Sequence, residues 1–190
     1  EYAAHHDFIK LVEYRRSGTR SFGQKARAFA AGVAAASPVD YAYIGNLDAD
    51  ISFEPMYFQR LITQFENDPH LGIGGGAIWE DCRGEFMPRK ENRIESVANA
   101  VQLFRRECFD SIGQRYVPLQ FGGHDWHAEV TARMKGWGVQ TFPDLRVFHH
   151  RPTGAGSGLN RYCFRQGFMD FTLGVHPLFE IGKLFRRSSR

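Results

Sequence analysis

Cysteine is scarce in this chain, and the scarcity excludes two classes of architecture. The three present among 190 residues (Cys82, Cys108 and Cys163) are odd in number, far apart and never in a Cys-x-x-Cys pair. That pattern argues against a disulfide framework or a zinc site and for a reducing compartment. An excess of one charge is missing too. The formal net charge is only +3, and the basic residues gather at Arg15-Arg16, Arg105-Arg106 and Arg186-Arg187 rather than in one stripe, so no nucleic-acid partner is expected. No apolar run reaches transmembrane length, and there is no signal-peptide pattern and no internal repeat; the expected location is cytoplasmic. What remains is ordinary globular composition, with 43% hydrophobic and 24% charged residues, enough for residues 1–190 to form a single domain with a sizeable core.

Strand and helix patterns alternate along the chain. Strands are expected at Phe8–Tyr14, Tyr41–Leu47, Leu71–Trp79, Ala100–Phe104, Val139–Phe142 and Leu145–His149. Helices are expected from Gly23 to Ala36, from Glu54 to Asn67 with Pro55 in the first turn, from Arg106 to Ile112, from Gly122-Gly123 to Met134, and in the aromatic stretch Tyr162–Phe171. The charged stretch from Glu80 to Glu95 reads as a surface loop, and Gly154–Gly158 as a Gly/Ser-rich connection. The order implies an α/β fold with a mixed, mostly parallel central sheet flanked by helices. The glycines of Leu71–Trp79 suggest a bulge or a close approach to a ligand or backbone. The start at Glu1, without methionine and already close to a strand, suggests a fragment truncated at its amino end.

The chemistry centres on Gly45-Asn46-Leu47-Asp48-Ala49-Asp50, which precedes Ile51-Ser52-Phe53-Glu54-Pro55, a stretch that reads as the opening of a helix. Two carboxylates two residues apart on an extended segment share a side, and so close they repel unless a cation lies between them. A hard divalent ion bridging to substrate phosphates would relieve that repulsion. A lone Asp-x-Asp is more often a turn and helix-start signal. Two further constellations therefore matter. Gly122-Gly123-His124-Asp125 opens a helix with an acid in its first turn, a placement that also suits capping. Phe148-His149-His150-Arg151 ends a strand in two histidines and an arginine, which can complete a metal site and bind phosphate oxygens. Consecutive histidines point to opposite faces, so at most one is a ligand.

Lys25-Ala26-Arg27-Ala28 with Gly32, Asp48-Ala49-Asp50, Gly74–Gly76, Gly123-His124-Asp125 and the Pro143 to His149 segment stand in an order that resembles family 2 glycosyltransferases with the GT-A fold. Phe53-Glu54-Pro55 after the acidic pair and Asn67-Asp68-Pro69 closing the next helix fit the same spacing. The resemblance covers nearly the whole chain. It implies an inverting, metal-dependent transferase that moves a sugar from a UDP- or GDP-sugar to a saccharide or lipid-linked acceptor, as in polysaccharide biosynthesis. Asp48 would lie near the ribose or donor sugar, and Asp50 would bind Mg2+ or Mn2+. Asp125 matches the catalytic base, with His124 where the family usually has Glu. His149 falls at a metal- or diphosphate-contacting position, with His150 as the alternative. Lys25 falls in a helix that flanks the nucleotide site, although Ala30 stands where the family commonly has Asn; Arg151, at the strand end, is the candidate for phosphate oxygens of the nucleotide. The resemblance also implies that a nucleoside-holding strand and helix at the amino end are lacking.

Other readings use the same residues differently. A glycoside hydrolase separates its carboxylates by roughly 5 to 9.5 Å across the scissile bond, which suits Asp48 and Asp50 less well than a shared ion. A non-catalytic carbohydrate- or nucleotide-binding module would stack Trp79, Trp126 or Trp137 on sugars, where core packing is the commoner use of tryptophan. The Phe- and Arg-rich stretch from Tyr162 to Arg187 fits either a helix packed on the sheet or one on the inner face of a membrane.

Overall fold

A computed structural model of the chain describes residues 2–15, 21–36, 38–151, 159–179 and 181–182. In chain order its elements are a 3-10 turn at Tyr2–Ala4, α1 (Phe22–Ala36), β1 (Tyr43–Gly45), β2 (Ile51–Phe53), α2 (Tyr57–Asn67), β3 (Leu71–Cys82) and β4 (Glu85–Pro88). A second 3-10 turn at Asn99–Val101 follows, then β5 (Leu103–Arg105), α3 (Arg106–Ser111), α4 (His124–Met134), β6 (Gly138–His149) and α5 (Leu159–Thr172). The strands form one mixed sheet in the order β1-β5-β3-β6-β2, with β4 hydrogen-bonded to β3. The α/β class, mixed sheet and flanking helices are those expected. The parallel part is smaller than expected: among the described strands β3 and β6 pair parallel, and the other pairings are antiparallel.

β3 is the spine. Every residue from Leu71 to Ile78 is buried, as a strand covered on both faces requires. α2 covers one face through Tyr57, Leu61 and Phe65, which are almost fully buried. Segment 97–101 covers the other face, and its approach explains Gly75, where a Cβ would stand 2.5 Å from Val97 Cγ1 and 2.8 Å from the Val101 carbonyl oxygen. At Gly76 the same atom would lie 2.1 Å from the Leu145 carbonyl oxygen. This is the close backbone approach foreseen for the glycine run, not a ligand cradle. Arg105 ties the sheet to the end of α2, its guanidinium donating to the carbonyls of Leu71 at 3.0 Å, Asp68 at 3.1 Å and Phe65, where a cation suits the helix C-terminus.

Several boundaries differ from the sequence reading. Phe8–Tyr14 forms no strand, and Phe8 and Leu11 are 83% and 79% exposed. An apolar run becomes a strand only where a neighbour completes its ladder, and among the described residues none pairs with it. Ile51–Phe53 is a strand rather than a helix start. Its apolar-polar-apolar alternation pairs with Val147–His149, and α2 begins at Tyr57, after Pro55, which disfavours helix at the residue before it. The expected loop from Glu80 contains a hairpin instead. Arg83 and Gly84 take φ of 64° and 91° between β3 and β4, the left-handed pair that a tight two-residue turn needs. The expected strand at Ala100–Phe104 begins as the 3-10 turn, with β5 starting at Leu103. The two strands expected at Val139–Phe142 and Leu145–His149 are one, β6, whose register against β3 jumps from Gly76↔Phe142 to Ala77↔Arg146. Pro143, which cannot donate to a ladder, sits in that jump.

Through its described side chains α5 packs on the turn before α4. Phe168 stacks on Phe121 at 4.8 Å, Arg165 donates to the Phe121 carbonyl at 3.3 Å, and a Cβ at Gly123 would meet Met169 and Leu173. Gly154–Gly158, Arg186 and Arg187 lie outside the described residues. No helix among the described residues is long and apolar enough to cross a membrane.

Candidate active site

Asp48 and Asp50 lie in the turn between β1 and β2, just past the end of β1 rather than on an extended strand. Two backbone bonds hold the approach to this turn against segment 97–102. The Asn46 amide donates to the Gln102 carbonyl at 2.9 Å, and the Asp48 amide to the Ala100 carbonyl at 3.1 Å. The side-chain amide of buried Asn46 donates to the Asn99 carbonyl. These bonds fix where the carboxylates project.

β6 brings the third member. Ile51 pairs with His149, and the His150 amide donates to the Asp50 carbonyl at 3.0 Å. Asp48, Asp50 and His149 then converge, each offering a ligand atom, all within 4.8 Å of one another. His149 Nε2 stands 3.4 Å from Asp50 Oδ1. His150 points elsewhere, its Nε2 2.9 Å from Ser52 Oγ and its ring edge-on to Phe86 at 5.4 Å. Of the two candidates, His149 is the one gathered with the acids. Two carboxylates and an imidazole are a donor set that Mg2+ accepts and Mn2+, which tolerates nitrogen more readily, accepts better.

Cations flank the acids on both sides. Lys25, on α1, donates from Nζ to Asp48 and to Asn99 Oδ1. Arg151 Nε stands 3.6 Å from Asp50 Oδ2, with 81% of its side chain exposed. Both basic residues thus offset the negative charge of the acids, and both are of a type that donates readily to phosphate oxygens.

Asp125 occupies the first turn of α4, after Gly123 at φ 86°. Its neighbour His124 is buried, its ring edge-on to Tyr116 at 5.0 Å, and neither ring nitrogen has a hydrogen-bond partner among the described residues. Burial pushes the His124 imidazole below its ordinary value; the charges of Asp125 and Asp48 oppose that shift, and Lys25 adds to it. Asp125, Lys25 and Asp48 thus act on one side chain. Burial likewise pushes the Tyr116 hydroxyl well above its ordinary value, with Asp125, Glu129 and Asp48 contributing.

Of the candidate site residues, Lys25, Asp48, Asp50, His149 and Arg151 gather in one cluster, and Asp125 stands on α4. Sequence reasoning missed Asn46, Asn99 and Gln102, which scaffold the acids, and Glu129, buried one turn after Asp125. Asn46 carried a weak signal, as a polar residue ending a strand just before the acids. Asn99 and Gln102 carried none, because their partners are distant in the chain. The tryptophans are not deep in the core. Trp126 is 43% exposed, Arg146 stacks over Trp79 at 4.7 Å, and Trp137 packs against the core while donating to Ser111 Oγ at 3.1 Å.

Comparison with known proteins supplies a context for this geometry. A sequence model described as Glycosyl transferase family 2 matches residues 1–125. Among solved structures the chain is similar to the mannosyltransferase PcManGT from Pyrobaculum calidifontis, determined in complex with GDP-Man and Mn2+, with 16% identity and a TM-score of 0.59. The match covers 87% of this chain and 46% of that one, so this chain spans about half the length of its structural relative. At that identity the likeness shows the fold alone. No curated protein matches the chain.

Proposed function

Because the chain belongs to glycosyl transferase family 2, we propose that it transfers a sugar, with inversion, from a nucleotide-diphosphate donor held at Asp48, Asp50 and His149. The observation that carries this reading is the convergence of those three ligand atoms within 4.8 Å, from a turn and a strand end nearly a hundred residues apart in the chain.

In this reading Asp50 and His149 hold a divalent cation, Mg2+ or Mn2+, and Asp48 lies toward the ribose or donor sugar. When bound, that cation offsets the charge that develops on the departing diphosphate. Lys25 and Arg151 neutralise the acids in the free protein and turn to phosphate oxygens when donor arrives. Asp125 accepts the proton from the acceptor hydroxyl as its oxygen attacks the anomeric carbon opposite the leaving group. A single displacement needs no protein nucleophile and inverts the configuration. The GDP-Man in the structural relative supports a guanosine donor as the first to try. Phe164 and Phe171 of α5, 72% and 81% exposed, support a lipid-linked acceptor presented at a membrane surface.

Calorimetric titration of GDP and UDP, each with and without Mn2+, into the protein and an Asp50→Ala variant tests the reading. Binding of one nucleotide is expected to require Mn2+ and to be lost in the variant. Metal-independent binding, or a variant that binds like the parent, would sink it.

A further inference from the structure

Asp125 and the acids it would serve lie on different elements, and one buried network joins them. Segment 97–102 carries the scaffold of the acids: Asn99 holds Lys25, the Asn99 carbonyl holds Asn46, and the Ala100 carbonyl holds the Asp48 amide. The same segment is fastened to α4 through a buried side chain. Glu129, 1% exposed, accepts from the Val97 amide at 2.7 Å and from Gln102 Nε2 at 3.1 Å, both on Oε1. Gln102, fully buried, also donates to the Val97 carbonyl at 3.2 Å and accepts from the Tyr116 hydroxyl. Tyr116 in turn lies against His124, beside Asp125.

A carboxyl group is a costly object to bury, and packing alone would be served better by an apolar side chain. What an apolar residue cannot do is fix a backbone amide and a side-chain amide at one point. We propose that Glu129 is a positioning residue, which through Val97 and Gln102 sets where Asp48 and Lys25 stand relative to Asp125. The inference rests on the reading of Asp125 as the base. Positioning matters here because a misplacement of about 1 Å between reacting groups can cost roughly a hundredfold in rate.

The groups facing Glu129 are consistent with this role. From its own helix come Arg133, Nη2 3.6 Å from Oε2, and Asp125; from the preceding chain come Ser96, Val97, Gln102 and Tyr116. Burial pushes its carboxyl up to about 7, opposed by the Val97 amide, the Ser96 hydroxyl and Arg133, with Asp125 adding to the rise. Neutral or ionised, Oε1 remains an acceptor.

The test compares Glu129→Ala and Glu129→Gln with the parent by two readouts. The first is amide hydrogen exchange. Glu129→Ala should speed exchange at Asn46, Val97 and Asp48 at least tenfold over the parent while leaving Ile73 in the spine of the sheet within twofold, and Glu129→Gln, which keeps the acceptor oxygen, should restore protection. The second is turnover of GDP-mannose or UDP-glucose, read as nucleotide release. Glu129→Ala should lose about a hundredfold in kcat with KM within twofold, and Glu129→Gln should recover most of it. Uniformly faster exchange across the sheet, or none at the three amides, would overturn the inference, as would unchanged kcat in Glu129→Ala. A parent that turns over neither sugar nucleotide would count against the proposed function, and the exchange measurement would still decide the role of Glu129.

Discussion

His149 Nε2 faces Asp50 Oδ1 at 3.4 Å because β2 and β6 pair with Ile51 opposite His149. Strand alternation then turns the adjacent His150 the other way, to Ser52 and Phe86. One register thus selects one of two consecutive histidines for the acidic cluster.

That selection predicts a contrast between neighbours. Replacing His149 by Ala should weaken Mn2+-dependent nucleotide binding by at least the roughly 10–100-fold that loss of a mere supporting partner costs a metal site. Replacing His150 by Ala should leave it within a few-fold. Calorimetry on the two variants checks this, and equal losses would mean that the register does not choose the ligand.

Asp125→Asn should bind nucleotide and Mn2+ as the parent does yet lose roughly 10²–10⁴-fold in turnover, the usual worth of a positioned base. The side chain is partly exposed at a helix N-terminus, so the fold should survive. Full activity in this variant would remove Asp125 from the chemistry.

Glu129 makes stability depend on pH in a direction opposite to most carboxylates. Its folded-state carboxyl is held up at about 7, against an ordinary 4.5. Between those values the unfolded chain has lost a proton that the folded chain keeps. Stability from this group therefore falls as pH rises through that window, by on the order of 3 kcal/mol in all. Glu129→Gln cannot titrate, so its stability relative to the parent should improve between pH 5 and pH 8. Urea unfolding at both values checks the sign, and a constant difference would refute it.

Gly76→Ala should destabilise the sheet by about 1–3 kcal/mol or more. The new methyl would meet the Leu145 carbonyl oxygen at 2.1 Å and the Tyr57 ring at 2.8 Å. It would also disturb the 2.8 Å bond from the Gly76 amide to the Tyr57 hydroxyl. Denaturant titration reads the loss, and wild-type stability would show that the backbones can part at no cost.

Much of the fold was legible because its signals are local. The Ala-rich α1, the buried apolar run of β3 and the glycine before α4 announce themselves within a few residues. Errors fell where a neighbour decides. Phe8–Tyr14 has strand composition but no partner strand among the described residues. Ile51–Phe53, read as a helix start, has one in β6. The hairpin at Arg83-Gly84 escaped because its left-handed turn places a non-glycine residue at a positive φ, which composition does not advertise.

The sequence by itself determined the residue types of the site and their order: a basic helix, two acids after a short strand, an acid opening a later helix, and histidines ending the last strand. Each is a short-range pattern that its chemistry demands. Only the tertiary structure decided that His149 and not His150 meets the acids, that Lys25 pairs with Asp48 through the corner held by Asn99, and that Glu129 ties α4 to segment 97–102. Those outcomes depend on the pairing of β2 with β6 and on segment 97–102 packing over β3. Sheet register and packing between residues far apart in the chain are collective properties, set by which backbone and apolar surfaces can be buried together.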